Sequence, residues 1–155
     1  MKFVEENTVM DAKDRVILSA LERDARASYK AIGDRAQLSP NAVADRVRRL
    51  QERGTITQFS AEIHPSAFGL SLRALIEVKM ESRTTADEFK ARAAATPGVI
   101  RAFVTTGQYD WLLEVVARDQ RDLQRIIEEL RAGGLLRDTY SRIIASDLRF
   151  PLLRD

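Results

Sequence analysis

A chain of 155 residues, 45% hydrophobic and 31% charged, has the composition of an ordinary globular protein, with apolar surface for one large domain or two small ones. Zero cysteines exclude disulfides, thiol nucleophiles and cysteine-ligated metals, and the single histidine, His64, excludes a multi-histidine centre within one chain, so no metal and no cofactor is expected. The net charge of +2 is weakly basic, and neither the first 62 residues nor the remainder forms a polybasic block, so any case for a nucleic-acid partner has to be local.

In chain order, residues 1–10 show no sustained period and read as an N-terminal arm. Met1 to Glu6 lack the apolar core of a secretion signal, and no apolar run reaches the roughly 18 to 20 residues that cross a bilayer, so the expectation is a cytoplasmic protein with no membrane partner. From Asp11 to Asp24, Ile17, Leu18, Ala20 and Leu21 share one helical face, with Asp11 as N-cap and Asp14 in the first turn, where negative charge suits the helix dipole. Ser28 caps a short second helix, Tyr29 to Ala36. Ser39 followed by Pro40 starts a third, because the serine accepts from an orphan amide and proline at the first helical position loses no hydrogen bond. This helix places Val43, Val47 and Leu50 at i, i+4 and i+7 and stops at Gly54. Ile56, Phe59, Ala61 and Ile63 then lean towards a strand, and His64-Pro65-Ser66-Ala67-Phe68-Gly69 reads as a connector. The expected division is residues 1–10, 11–54, 55–70 (strand and hinge) and 71–155.

Beyond the connector, Leu72, Ala74, Ile76, Val78 and Met80 alternate as a half-buried strand. Thr84 or Thr85 caps a helix with Ala86, Phe89 and Ala93 inward, stopped by Thr96-Pro97-Gly98. Strands are expected over Val99 to Thr105 and Trp111 to Val116, joined by a hairpin turn. Asp119 caps a last helix carrying Leu123, Ile126, Ile127 and Leu130, and Arg137 to Ala145 form the final strand. The order β-α-β-β-α-β is the ferredoxin-like arrangement.

Three short helices with a tight turn before the third are what a helix-turn-helix requires. With Val43, Val47 and Leu50 as the buried side, Asn41, Asp45 and Arg48 point outward, and Ala42 and Arg49 lie on one flank. Asn41 can read adenine, Arg48 and Arg49 can reach guanine or phosphate, and Ser39 can hold a phosphate at the helix start. A solvated charged face gives the same pattern. Arg46, at the border of the apolar stripe, is either a DNA contact or the partner of an acid such as Asp14.

On these residues the chain resembles the Lrp/AsnC family of feast/famine regulators. The matching landmarks are Asp11-Ala12-Lys13-Asp14-Arg15-Val16-Ile17-Leu18, Leu38-Ser39-Pro40, Arg46-Val47-Arg48-Arg49-Leu50 with Gly54-Thr55-Ile56, and Thr106-Gly107-Gln108-Tyr109-Asp110-Trp111-Leu112-Leu113, in the family's order and spacing. The resemblance runs from Asp11 to about Leu148. It implies an α+β protein: an N-terminal winged-helix-like helix-turn-helix domain, a strand-containing hinge, and a C-terminal ferredoxin-like βαββαβ ligand-binding and dimerisation domain. It also implies double-stranded DNA as partner, a homodimer or octamer, and an amino-acid effector held between dimers. Gly107, Gln108, Tyr109 and Asp110 with Thr139 and Ser141 are the effector residues so implied. Read from the residues alone, Gly107 and Asp110 serve equally as a hairpin glycine and a turn-capping acid. Two departures from the family pattern are Gln108, where an acid or asparagine is frequent, and Gly133-Gly134-Leu135-Leu136, which replaces a Pro-Gly-Val.

Two other functions fit the same scaffold. Siroheme decarboxylases are similar in fold but handle their tetrapyrrole with histidines, of which this chain has one, in the connector. An effector-independent architectural protein that coats DNA would use the same arginines for phosphate alone.

Overall fold

The computed structural model describes residues 10–148 and 150–153; the expected arm, save Met10, lies outside them. The chain divides into two compact units, one holding residues up to Glu62 together with the C-terminal tail, the other Ile63–Leu148.

In the first unit, α1 (Ala12–Arg23), α2 (Tyr29–Ala36) and α3 (Pro40–Glu52) close on Ile17, Ala20, Leu21, Ile32, Val43, Val47 and Leu50. Each helix start is set by a side chain: Asp11 accepts from the Asp14 amide, Ser28 from Ala31 and Ser39 from Ala42. Between α2 and α3, Gln37 adopts a left-handed conformation (φ 53°), and the Leu38 amide returns to the Gly33 carbonyl at 2.9 Å. The strand expected after Gly54 is absent. Residues 57–64 carry no regular structure, and Phe59 and Ile63 are exposed, because a strand takes its hydrogen bonds from a neighbour and no described segment pairs with this one. The C-terminal tail returns to this unit: Glu22 accepts from the Leu152 amide at 2.6 Å and from the Leu153 amide at 3.2 Å. The tail was expected to end the second domain.

The second unit opens with a 3₁₀ turn, Pro65–Phe68, whose N-cap His64 also bonds Ser66. Its elements are β1 (Leu72–Met80), α4 (Ala86–Ala95), β2 (Val99–Val104), β3 (Trp111–Ala117), α5 (Gln120–Arg131) and β4 (Leu136–Ile143). The antiparallel sheet has the order β2-β3-β1-β4. One face is covered by α4 and α5, and Ala74, Ile76, Val78, Phe89, Trp111, Leu113, Val115, Ile126 and Leu130 form its core. Trp111 packs on Phe89 with ring centroids 5.2 Å apart. Thr85, not Thr84, caps α4, in a reciprocal capping box with Glu88; Thr84 donates instead to the Leu135 carbonyl. Ala86 is exposed, so only Phe89 and Ala93 of the expected inward face are buried.

Candidate DNA-reading face and effector turn

On α3, burial of Val43, Val47 and Leu50 turns Asn41, Asp45, Arg48 and Arg49 to solvent and leaves Ala42 half-buried on the flank. The three arginines have three different surroundings. Arg46 is clasped by α1: one guanidinium nitrogen lies 2.7 Å from Asp14 Oδ1 and 2.6 Å from Asp11 Oδ2. Those carboxylates, Asp14 foremost, raise its affinity for the proton. The Asp14 amide and then Arg46 hold the Asp11 carboxyl below the ordinary carboxylate range. Arg48 reaches Asp45 at 2.9 Å on the open surface, and Arg49 Nε donates to the Asp45 carbonyl at 3.3 Å. Ser39 is occupied as the helix cap at 3.2 Å from the Ala42 amide. The structure therefore brings Asn41, Ala42, Asp45, Arg48 and Arg49 onto one side of α3, with exposed Ser39 at its N-terminal end. Arg46 is drawn to the α1 side, as its position bordering the apolar stripe allowed.

The turn between β2 and β3 is anchored at both ends. Thr105 donates from its amide to the Asp110 carbonyl at 3.0 Å and from its hydroxyl to the Tyr109 carbonyl at 2.9 Å. Gly107 has φ 118°, where a side chain would be strained, and the space around its Cα is open. Gln108 is exposed. Both Asp110 carboxylate oxygens are engaged, one by Lys79 Nζ at 2.9 Å and the other by the Met80 amide at 2.8 Å. The Met80 amide, with Lys79, lowers the Asp110 pKa. Asp110 thus ties the turn to β1, which is the turn-capping reading of that residue.

Tyr109 reaches Asp138 at 3.4 Å, and its phenol is raised by burial and then by that carboxylate. In the ladder, Asp138 stands opposite Lys79, Thr139 opposite Val78 and Ser141 opposite Ile76. Directly opposed residues share a face and successive residues alternate. Thr139 and Ser141 therefore lie on the helix-covered face of the edge strand, and Asp138 lies on the bare one. Within one chain the tyrosine hydroxyl and the strand hydroxyls are not brought into a common pocket. Thr139 Oγ1 also accepts from Arg131 at 2.5 Å, whereas Ser141 is exposed. Sequence reasoning missed Asp138, which register across the sheet places beside Tyr109, and Arg131, which reaches Thr139 from the end of α5; neither follows from a local pattern.

Comparison with known proteins covers both units. Residues 10–51 match the AsnC-type helix-turn-helix domain, and residues 73–149 match the Lrp/AsnC ligand binding domain. The HTH-type transcriptional regulator AldR of Mycolicibacterium smegmatis is 37% identical over 143 residues, covering 90% of this chain and 84% of that one. Two solved structures superpose with TM-score 0.84: a feast or famine regulatory protein of M. tuberculosis complexed with L-methionine (29% identity, 94% of this chain and 99% of that one), and a transcriptional regulator of Neisseria meningitidis in complex with L-methionine (25% identity, 93% and 95%). With a helix-turn-helix domain followed along the chain by a ferredoxin-like domain, both in the family's order and both matched, the chain belongs to the Lrp/AsnC family of transcriptional regulators.

Proposed function

We propose that this regulator binds double-stranded DNA as a homodimer or higher oligomer through α3, and that a free amino acid bound in the second unit biases its assembly. The observation that carries the DNA reading is the division of labour on α3: Arg46 is spent on the clasp while Asn41, Arg48 and Arg49 stay exposed on one surface. In this reading Asn41 and Arg48 contact bases, Arg49 and Ser39 contact phosphate, and Ala42 offers a methyl to thymine. The protein is a cytoplasmic regulator rather than an enzyme, needing no cofactor; among the described residues no helix is long and apolar enough to cross a membrane.

Self-association is supported by the bare sheet face, where half-buried Leu75 and Leu112 lie among Phe103 and Tyr140. Arg101 stacks on Phe103 at 4.7 Å and Arg142 on Tyr140 at 5.1 Å. An amino acid as effector is supported by the methionine complexes of the two structural relatives and by the open turn at Gly107. A ligand that touched both Tyr109 and Ser141 would take them from different copies of the chain. The engagement of both Asp110 oxygens favours a second reading, a regulator that binds DNA without an effector.

The test measures binding to the promoter of the protein's own gene and to random duplex at one salt concentration, with and without each of the twenty amino acids, alongside sedimentation. The proposal expects preference for the promoter, a dimer or larger species, and at least one amino acid that shifts the sedimentation profile. Equal affinity for both duplexes would overturn the sequence-specific reading, and a sedimentation profile indifferent to all twenty would overturn the sensing role.

A further inference from the structure

Asp45 is out of place on a surface meant for DNA. A carboxylate on the outward face of a reading helix repels phosphate, and α3 carries it between Asn41 and Arg48, within 60° of both around the helix axis at 100° per residue. The geometry says what it does there. Asp45 Oδ1 accepts from a single Arg48 nitrogen, Nη2, at 2.9 Å, with both side chains mostly exposed, at 60% and 67%. Among the described residues no other side chain engages the remaining guanidinium N–H groups, and the pair as a unit is neutral.

We propose that Asp45 is a positioning residue that converts Arg48 from a phosphate-seeking cation into a reader of guanine. The inference rests on the reading of α3 as the recognition helix. Three physical consequences support it. An arginine biased by a neighbouring carboxylate towards one rotamer loses somewhat less freedom when it forms the paired bonds to guanine O6 and N7. A neutral pair displaces few counterions, so Arg48 adds little to non-specific affinity or to its salt dependence. The carboxylate also makes the backbone an unfavourable alternative target, since Arg48 can approach a phosphate only by leaving Asp45 or by bringing it along. Among the described residues Arg49 forms no ion pair; its Nε donates to the Asp45 carbonyl, and its charge is not neutralised by a paired carboxylate as that of Arg48 is. The helix thus separates one arginine for bases from one for backbone.

The experiment selects from a pool of randomised duplexes with the wild type and with Asp45→Asn, Asp45→Glu, Arg48→Ala and the Asp45→Asn/Arg48→Ala double variant, then titrates each against salt on the selected site and on random duplex. Asp45→Asn keeps the side-chain shape and removes the charge. It should lower the preference for guanine at one position about tenfold, raise affinity for random duplex, and steepen the log–log salt slope by about one unit. Asp45→Glu can still pair and should restore most of the preference. In the Arg48→Ala background Asp45→Asn should no longer alter base preference. The inference is overturned if the wild type selects a site and Arg48→Ala relaxes one position of it, yet Asp45→Asn changes specific and random binding by the same factor. It is also overturned if the Asp45→Asn effect on preference survives without Arg48. A wild type that selects no sequence at all removes the recognition reading itself, and this inference with it.

Discussion

Arg46 of α3 and Asp14 of α1 form an ion pair of 2.7 Å that joins the two helices, with side-chain exposures of only 24% and 16%. A charge-assisted pair this sheltered contributes more than an open surface pair, which is worth little. Asp11, on the same guanidinium, is half-exposed and secondary.

Arg46→Met should therefore lower the stability of the first unit by about 1 to 2 kcal/mol. Its effect on DNA binding should appear as loss of folded protein, with the salt slope of the folded fraction unchanged. Arg49→Ala should do the reverse, leaving the melting temperature in place and flattening the slope by about one unit. Thermal unfolding and salt titration of both variants check this; a flattened slope in Arg46→Met would put that residue back among the phosphate contacts.

The turn before α3 should fail on a single methyl. A Cβ on Gly33 would lie 2.5 Å from the Leu38 carbonyl oxygen, a backbone atom that cannot move without displacing the turn, and the same two residues share a hydrogen bond. Gly33→Ala should cost about 2 to 3 kcal/mol, at the upper end of ordinary overpacking. Gly107→Ala, equally a one-methyl change but in open space at positive φ, strains only its own turn and should cost less. Equal melting temperatures for the two variants would contradict the steric argument.

These two positions also mark how much could be read in advance. The helices, their caps and the ladder-forming strands were legible because each depends on residues within a few positions of one another: Asp11, Ser28 and Ser39 announce helix starts, and the alternation from Leu72 to Met80 announces β1. What depends on distant partners was not. The alternation around Phe59 suggests a strand, yet no described segment pairs with it; Asp110 reads either as an effector contact or as a turn-capping acid, and Lys79 and Met80, which engage it, lie about 30 residues away; nothing near Glu22 signals that the amides of Leu152 and Leu153 return to it across about 130 residues. Arg46 was legible as a choice between two roles, because its place at the border of the apolar stripe allows either.

Acid should loosen the second unit through Asp122. This carboxylate, 7% exposed, accepts from the Arg118 amide and side chain and from Arg125, and chiefly those Arg118 bonds hold its pKa far below the ordinary 3.8. A group whose folded pKa is depressed stabilises fully above its unfolded value, and that contribution fades as pH falls below it, because the unfolded chain then takes up a proton the native one refuses. Asp122→Asn should therefore lower the melting temperature most at pH 5 to 7, with the deficit shrinking as pH drops below about 4. A deficit that stays constant down to about pH 2 would show that lost packing, not the charge, is responsible.

The proposed effector site is best tested by variants that spare its scaffold. Asp110→Ala would release Lys79 and the Met80 amide together, so lost ligand binding there could not be told from a displaced turn. Tyr109→Phe and Ser141→Ala each remove one hydroxyl, from residues that stand on opposite faces of the sheet in a single chain. If an amino acid touches both, one hydroxyl comes from each of two copies, and each variant alone should weaken the thermal stabilisation that otherwise grows with the logarithm of ligand concentration above Kd. The two variants, unfolded together and refolded as an equal mixture, should then regain about a quarter of the wild-type sites, because random pairing joins an intact Tyr109 from one parent to an intact Ser141 from the other that often. Isothermal titration of the mixture against each parent measures that fraction. Weakening in both parents with no recovery on mixing would place the two hydroxyls in one chain's pocket, against the register of β4. Unchanged affinity in both parents would mean that the ligand sits elsewhere, and an absence of stabilisation in the wild type by any amino acid would leave the regulator working through α3 without an effector.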